Sequence, residues 1–272
     1  MRFKNKIVVV TGASSGIGEQ TCLDFAKRGA DIVLLARSTS RMEAISKKIR
    51  ENYQTHTLVI QCDVSKKVQV LSMSKKVFDE FDHVDILVNN AGFAIFGSVK
   101  DLSIEEMEEQ IKTNLFGAIY CTKAFLPSML TRKRGHIVNI ASVAGSIGVP
   151  GFASYCASKF GMVGFSQSLY HELKGTGIGV TVVSPITVKT NFFNHPSFQK
   201  IKLNYIPPGL SATHVSNAVL RAANSKRLEM IVPFYVRGAV WLIQTLPYLL
   251  NPIIGIVFRK HMNNLEKTDN QV

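Results

Sequence analysis

Tyr155 and Lys159 stand at i and i+4 in Tyr155-Cys156-Ala157-Ser158-Lys159, with Ser142 upstream. On a helix those positions share a face, so an ammonium lies beside a phenol. A free tyrosine titrates near pH ~10; a neighbouring cation favours the phenolate, lowers that value and makes the side chain a usable acid or base. Ser142 follows a β-branched run and can donate a hydrogen bond to a carbonyl oxygen as negative charge builds on it. Y-x-x-x-K alone says little, because tyrosine and lysine fall four apart on many solvated helix faces. Its context decides.

That context starts at Thr11-Gly12-Ala13-Ser14-Ser15-Gly16-Ile17-Gly18, which ends the first apolar run and opens a helical pattern. Glycines at a strand-to-helix turn let backbone N–H groups approach a pyrophosphate at the positive end of a helix, so Gly12, Ser14, Ser15, Gly16, Ile17 and Gly18 are candidate cofactor residues. The spacing is G-x-x-x-G-x-G, not G-x-G-x-x-G. Gly12-Ala13-Ser14-Ser15-Gly16 also fits the nucleophile elbow of α/β hydrolases. An elbow needs earlier strands to carry its oxyanion loop, and this motif ends the very first one. The second apolar run closes with Ala36-Arg37-Ser38. A carboxylate there would accept from the 2′-hydroxyl of NAD, whereas the Arg37 fork suits the 2′-phosphate of NADP; the alternative is a plain surface arginine.

The elements that must hold these residues alternate along the chain. Residues 6–11, 31–36, 57–62, 84–89, 136–141, 179–184 and 229–233 are β-branched runs that predict strands, and 18–29 and 66–81 carry helical spacing. Nearly continuous apolar strands suit a parallel sheet covered on both faces, an α/β doubly wound domain with ligands at the carboxyl strand ends. Ser103-Ile104-Glu105-Glu106 is a capping box, which assigns the acidic run behind it to a helix start. With 272 residues, 46% apolar and 19% charged, the chain is neither disordered nor a small disulfide scaffold. Cys22, Cys62, Cys121 and Cys156 are far apart and show no metal or redox spacing, so no metal is expected and a reducing cytoplasm fits. The formal charge of +13 draws anions. Its basic residues are scattered over predicted helix faces, which argues against a nucleic-acid stripe.

The glycine turn, Asn89-Asn90-Ala91-Gly92, Asn114, Ser142 and the Tyr155/Lys159 pair occur together and in order, and over about residues 4–235 the chain resembles the classical short-chain dehydrogenase/reductase family. The resemblance implies a single Rossmann-type domain over residues 1–235 with a mostly parallel seven-stranded sheet, and a tetrad of Asn114, Ser142, Tyr155 and Lys159. It also implies adenine contacts from Asp63 and Val64 and cofactor contacts from Asn90, Ala91 and Gly92. In the implied reaction NADPH delivers hydride to a carbonyl carbon, Tyr155 protonates the oxygen and Ser142 positions it. Lys159 lowers the tyrosine pKa and binds the nicotinamide ribose, and Asn114 holds a relay water by kinking its helix. After the sixth strand the family's S-P-G-x-[VI]-x-T appears as Ser184-Pro185-Ile186-Thr187-Val188-Lys189-Thr190. Pro185, Thr187 and Thr190 are expected at the cofactor. Ile186 stands where the family has glycine and resists positive φ, so a shifted backbone is expected.

The expected activity is reduction of a ketone or aldehyde by NADP(H), reversible as alcohol oxidation; the alternative is a non-catalytic NADPH-binding regulator or membrane-associated scaffold. Residues 191–208, with Phe192, Phe193, Phe198, Leu203, Tyr205 and Ile206, match the substrate lid of the family. Ala94, Ile95, Phe96, Val143, Val149 and Phe152 are expected to line the same cleft, which favours a lipid-like carbonyl such as a 3-oxoacyl, steroid or sphingoid group. Arg132-Lys133-Arg134 suits either a solvated loop or an acyl-carrier phosphate. Residues 236–272 form an apolar extension with a basic tail. Its stretch 238–258 has no charge, but Pro247 and Pro252 break it into helices too short to span a bilayer. Those helices lie on a membrane, cover the substrate or pack against another subunit. Homodimers or homotetramers follow from the resemblance.

Overall fold

The computed structural model describes residues 3–200, 209–250, 252 and 256. Leu203, Tyr205 and Ile206 of the expected lid, and Arg259, Lys260 and His261 of the basic tail, lie outside the described residues. The chain opens with β1 (Ile7–Thr11), α1 (Gly16–Ala26), β2 (Asp31–Ala36), α2 (Thr39–Tyr53), β3 (Thr57–Gln61) and α3 (Lys67–Glu80). A second run follows: β4 (Ile86–Asn89), α4 (Ile104–Ile111), α5 (Gly117–Thr131), β5 (Gly135–Ile140), α6 (Ala153–Glu172) and β6 (Ile178–Pro185). The remainder is β7 (Val188–Lys189), β8 (Leu210–Ser211), α7 (Ala212–Ala222), β9 (Glu229–Val232) and α8 (Val236–Thr245).

Seven strands make one sheet in the order β3-β2-β1-β4-β5-β6-β9, and every neighbouring pair is parallel. The sheet therefore reverses its direction of winding between β1 and β4, and the crevice beyond their carboxyl ends is where a ligand fits. Side chains alternate across the pleat. Val8, Val10, Ile32 and Leu34 pack under α1, α2 and α7 with Phe25, Met42 and Val219, whereas Val9, Val33, Leu35 and Leu87 meet Met73, Phe125 and Leu169 of α3, α5 and α6. Both faces are covered, which is why the strands read as unbroken apolar runs.

The predicted strands fall within two residues of the observed ones. β4 starts later than its apolar run because Asp85 is spent on anchoring: its buried carboxylate accepts from Ile7 N at 3.1 Å and Lys6 Nζ at 3.0 Å. Burial opposes the charge, but the Ile7 amide and the Lys6 ammonium outweigh it and hold the carboxyl below the usual carboxylate range. The capping box forms as predicted, with the Ser103 hydroxyl accepting from Glu106 N and the Glu106 carboxylate accepting from Ser103 N. The two-residue ladder β7–β8 was not predicted; it is too short to carry an alternation. Ile186 needs no strained backbone. Among the described residues only Asn5, Gln54 and Lys133 have positive φ without being glycine, and Ile186 N donates to Val232 O at 2.9 Å, which keeps the segment extended along β9.

Candidate active site

The turn after β1 is built by close approach. Gly12 has φ +65°, and a Cβ at Gly18 would sit 2.2 Å from Gly12 O, so the first turn of α1 can pack onto the loop only without a side chain. Thr11 Oγ1 accepts from Asn90 N and Ala91 N, each at 2.9 Å, while Asn90 Nδ2 donates to Thr11 O at 2.9 Å. These bonds clamp the ends of β1 and β4 together. Ser15 at the start of α1 makes no side-chain cap, so the first amides of that helix stay available at its positive end. This glycine cradle fits the pyrophosphate of a dinucleotide.

A cavity of about 950 Å³ runs over the carboxyl ends of the strands. At one end it is lined by Gly12, Ser14, Ser15, Gly16 and Ile17, with Arg37, Asp63 and Val64 beyond them. Asn90, Ala91, Gly92, Pro185, Thr187 and Thr190 line its middle, and Ser142, Tyr155 and Lys159 face it there. Gly18 and Asn114 do not line it. Gly18 lies beneath Gly12, and Asn114 is fully buried behind Phe93.

Asn114 sits in a π-helical turn, Lys112–Phe116, between α4 and α5, where Gly117 N bonds back to Lys112 O. Its side chain works as a bracket: Oδ1 accepts from Phe93 N and Nδ2 donates to Phe93 O, both at 2.9 Å, and Nδ2 reaches Ser158 Oγ at 3.1 Å. It therefore fixes the loop after β4 against the Tyr155 helix. Lys159, also buried, donates to Ile140 O at 2.8 Å and holds its Nζ 5.7 Å from the centre of the Tyr155 ring. The Ser142 hydroxyl accepts from Ala144 N at 3.1 Å and directs its proton to Pro185 O at only 3.4 Å, a long bond that a better acceptor can replace.

The electrostatics differ from the sequence expectation. Burial pushes the Tyr155 phenol up to about 12, against a smaller downward pull from the Ser142 hydroxyl, and burial brings Lys159 down to about 8. Lys159 is not what sets the tyrosine in this state; desolvation is. The phenol stays protonated near neutrality. All four cysteines are buried with thiols pushed up by burial, which leaves none activated.

Beyond Tyr155 the cavity becomes apolar. Ala94, Phe96 and Phe198 are buried against Phe152, Phe192 and Phe193, and the Tyr155 ring lies 6.1 Å from Phe152 and 5.7 Å from Phe192. Ala94, Ile95, Val143, Val149 and Phe152 line the same space, as the sequence predicts, whereas Phe96 and Phe198 do not line it and pack against Phe152 and each other instead.

Two contributors escaped the sequence reading. Arg41, in the first turn of α2, lines the cavity beside Arg37, and Arg37 pairs with Glu109 at 4.0 Å. Both members of that pair are exposed, at 70% and 56%, so water screens it. An arginine at i+4 from Arg37 was the available signal. Gln110 is fully buried, accepts from Ile95 N at 3.0 Å and donates to Ser154 Oγ at 2.9 Å, tying the cavity wall to the residue before Tyr155. Its signal was an amide on the inward face of α4, where periodicity calls for a hydrophobe.

The short chain dehydrogenase family model matches residues 6–202. An uncharacterised oxidoreductase of Staphylococcus epidermidis is 36% identical over 221 residues, 81% of this chain and 92% of the relative. Estradiol 17-beta-dehydrogenase 11 of Pongo abelii is 33% identical over 246 residues, 89% of this chain and 79% of the relative. A short-chain dehydrogenase from Sphingobium yanoikuyae in complex with NADPH superposes with a TM-score of 0.79 at 29% identity, over 93% of this chain and 94% of that one. With the sheet order and the glycine cradle in agreement, this chain belongs to the short-chain dehydrogenase/reductase family of oxidoreductases, which act on CH–OH and C=O groups.

Proposed function

We propose that the protein reduces an apolar ketone or aldehyde to the alcohol with NADPH, and runs the reverse reaction when alcohol and oxidised cofactor are supplied. One observation carries this reading: the Tyr155 phenol and the Ser142 hydroxyl face a single cavity between a dinucleotide cradle and a phenylalanine-lined pocket. The glycine turn, Asn90 and Thr190 would hold the dinucleotide, with Arg37 and Arg41 at the 2′-phosphate. When bound, the reduced cofactor supplies a hydride to the carbonyl carbon. Ser142 turns its hydroxyl from Pro185 O to the carbonyl oxygen and stabilises the charge that develops there. Tyr155 gives its phenolic proton to that oxygen, and the phenolate left behind is balanced by the nearby Lys159 ammonium. Asn114 keeps the Phe93 loop and the Tyr155 helix in register during this exchange.

The phenylalanine pocket supports a lipid-like substrate, because Ala94, Ile95, Phe152, Phe192 and Phe193 give it a largely apolar lining. The test is NADPH oxidation by purified protein against steroid, 3-oxoacyl, sphingoid and retinoid carbonyls beside sugar carbonyls. Turnover confined to the apolar set is expected. Inactivity across the whole panel, with NADPH still bound, would replace the reductase by an NADPH-binding regulator.

A further inference from the structure

Val236, Val240 and Ile243 recur at helical spacing along α8 and turn inward, Val240 being 3% exposed. The outward side is apolar as well. Trp241 is 64% exposed, and Phe234, Tyr235, Leu246, Tyr248 and Leu249 around it are exposed too. Large apolar side chains gathered this closely mark an interaction surface. Tyrosine and tryptophan predominate among its rings, the residues whose amphipathic faces settle at lipid headgroup level.

Charge selects the occupant. Between Glu229 and Glu266 the sequence contains no carboxylate, while Arg237 lies on α8 itself and Arg259 and Lys260 follow in the chain. A second copy would bring the same basic, carboxylate-free segment to this face and so offers it no complementary charge. An anionic lipid surface brings the complementary sign, and each Lys or Arg held near it strengthens binding by about fivefold. α8 has ten residues, a length of about 15 Å, half of the ~30 Å hydrocarbon core, so it suits a helix lying in the interface. Its place in the fold adds a consequence: Gln244 Nε2 donates to Ser146 O at 3.5 Å, which sets α8 beside the turn whose Val143 and Ala144 line the cavity.

We infer that the outward face of α8 and the turn after it, from Phe234 to Leu249, docks in plane on an anionic lipid surface beside the apolar end of the cleft. Docking stands independently of the catalytic reading; only delivery of an apolar carbonyl from the lipid to Tyr155 rests on it.

Trp241 is the single tryptophan of the chain, so its emission reports this face alone. The full-length protein is titrated with vesicles of phosphatidylcholine, with and without phosphatidylglycerol. The expected result is a blue shift and quenching by brominated acyl chains on the anionic vesicles, at least about fivefold weaker binding to the neutral ones, and loss of that difference in high salt. L246E/L249E changes two exposed positions and is expected to abolish the shift while the circular dichroism spectrum stays native. Emission unmoved by millimolar anionic lipid, or equal binding to neutral vesicles, overturns the inference. So does a blue shift that grows with protein concentration without lipid, which assigns the face to a second copy. None of these outcomes depends on carbonyl turnover.

Discussion

Gln110→Leu removes a side chain that joins three parts of the site. Gln110 is wholly buried; its Oε1 accepts from Ile95 N at 3.0 Å, and its Nε2 donates to Ser154 Oγ at 2.9 Å and Glu106 O at 3.2 Å. Leucine fills a similar volume but offers neither acceptor nor donor. The Ile95 amide, itself buried, then loses its partner, at roughly 1–3 kcal/mol for a stranded buried donor. The Ser154 hydroxyl loses a neutral bond worth about 1 kcal/mol, and the added apolar contact of leucine offsets a similar amount. The net expectation is about 2 kcal/mol of lost stability, read as a lower urea midpoint at unchanged m-value. Because Ile95 lines the cavity and Ser154 directly precedes Tyr155, turnover is expected to fall more than NADPH affinity does. Gln110→Glu keeps an acceptor for Ile95 N and is expected to retain part of both properties. A leucine variant within about 0.5 kcal/mol of wild type, with normal kcat, would refute the view that this amide holds the site together.

Two further predictions concern charge. Arg37→Asp should raise KM for NADPH far more than for NADH, and the gap should shrink with salt because Arg37 is 70% exposed; equal effects on both cofactors would remove the 2′-phosphate assignment. His136 is buried on β5 against Thr181 Oγ1 at 3.0 Å, and burial lowers its pKa from 6.5 to about 4. Between those values the unfolded chain holds a proton that the folded chain refuses, so stability falls as pH drops from 6.5 and levels off below about 4. At about 1.4 kcal/mol per pKa unit the loss comes to about 3 kcal/mol, and His136→Gln should flatten the pH profile of urea unfolding across that window. A profile unchanged by the substitution would show that other groups control it.

Much of this molecule was legible in its residue order, for physical reasons. Parallel strands buried on both faces must be apolar throughout, so Val8, Val9 and Val10 announce β1 without any alternation. Gly12 and Gly18 are legible because no other residue permits that backbone approach. Tyr155 and Lys159 are on one helix, where sequence spacing is spatial spacing. What stayed hidden depends on partners far along the chain. The kink at Asn114 is expected only from the family resemblance; the π turn is held by Phe93, and nothing in local propensity marks it. Gln110 finds its role only when Ile95 and Ser154 are brought to it. The burial that raises the Tyr155 phenol is likewise invisible in sequence, where only the nearby cation can be read. The extended backbone at Ile186 also depends on a distant partner, the carbonyl of Val232 on β9.

The account turns on the Tyr155 phenol as proton donor, and Tyr155→Phe isolates it by deleting one oxygen while keeping the ring between Phe152 and Phe192. Equilibrium binding of NADPH and single-turnover reduction of an apolar ketone, measured on the same preparation, should give near-native affinity with turnover lowered at least about 100-fold. Reduction at the wild-type rate by the phenylalanine variant would contradict the proposed chemistry.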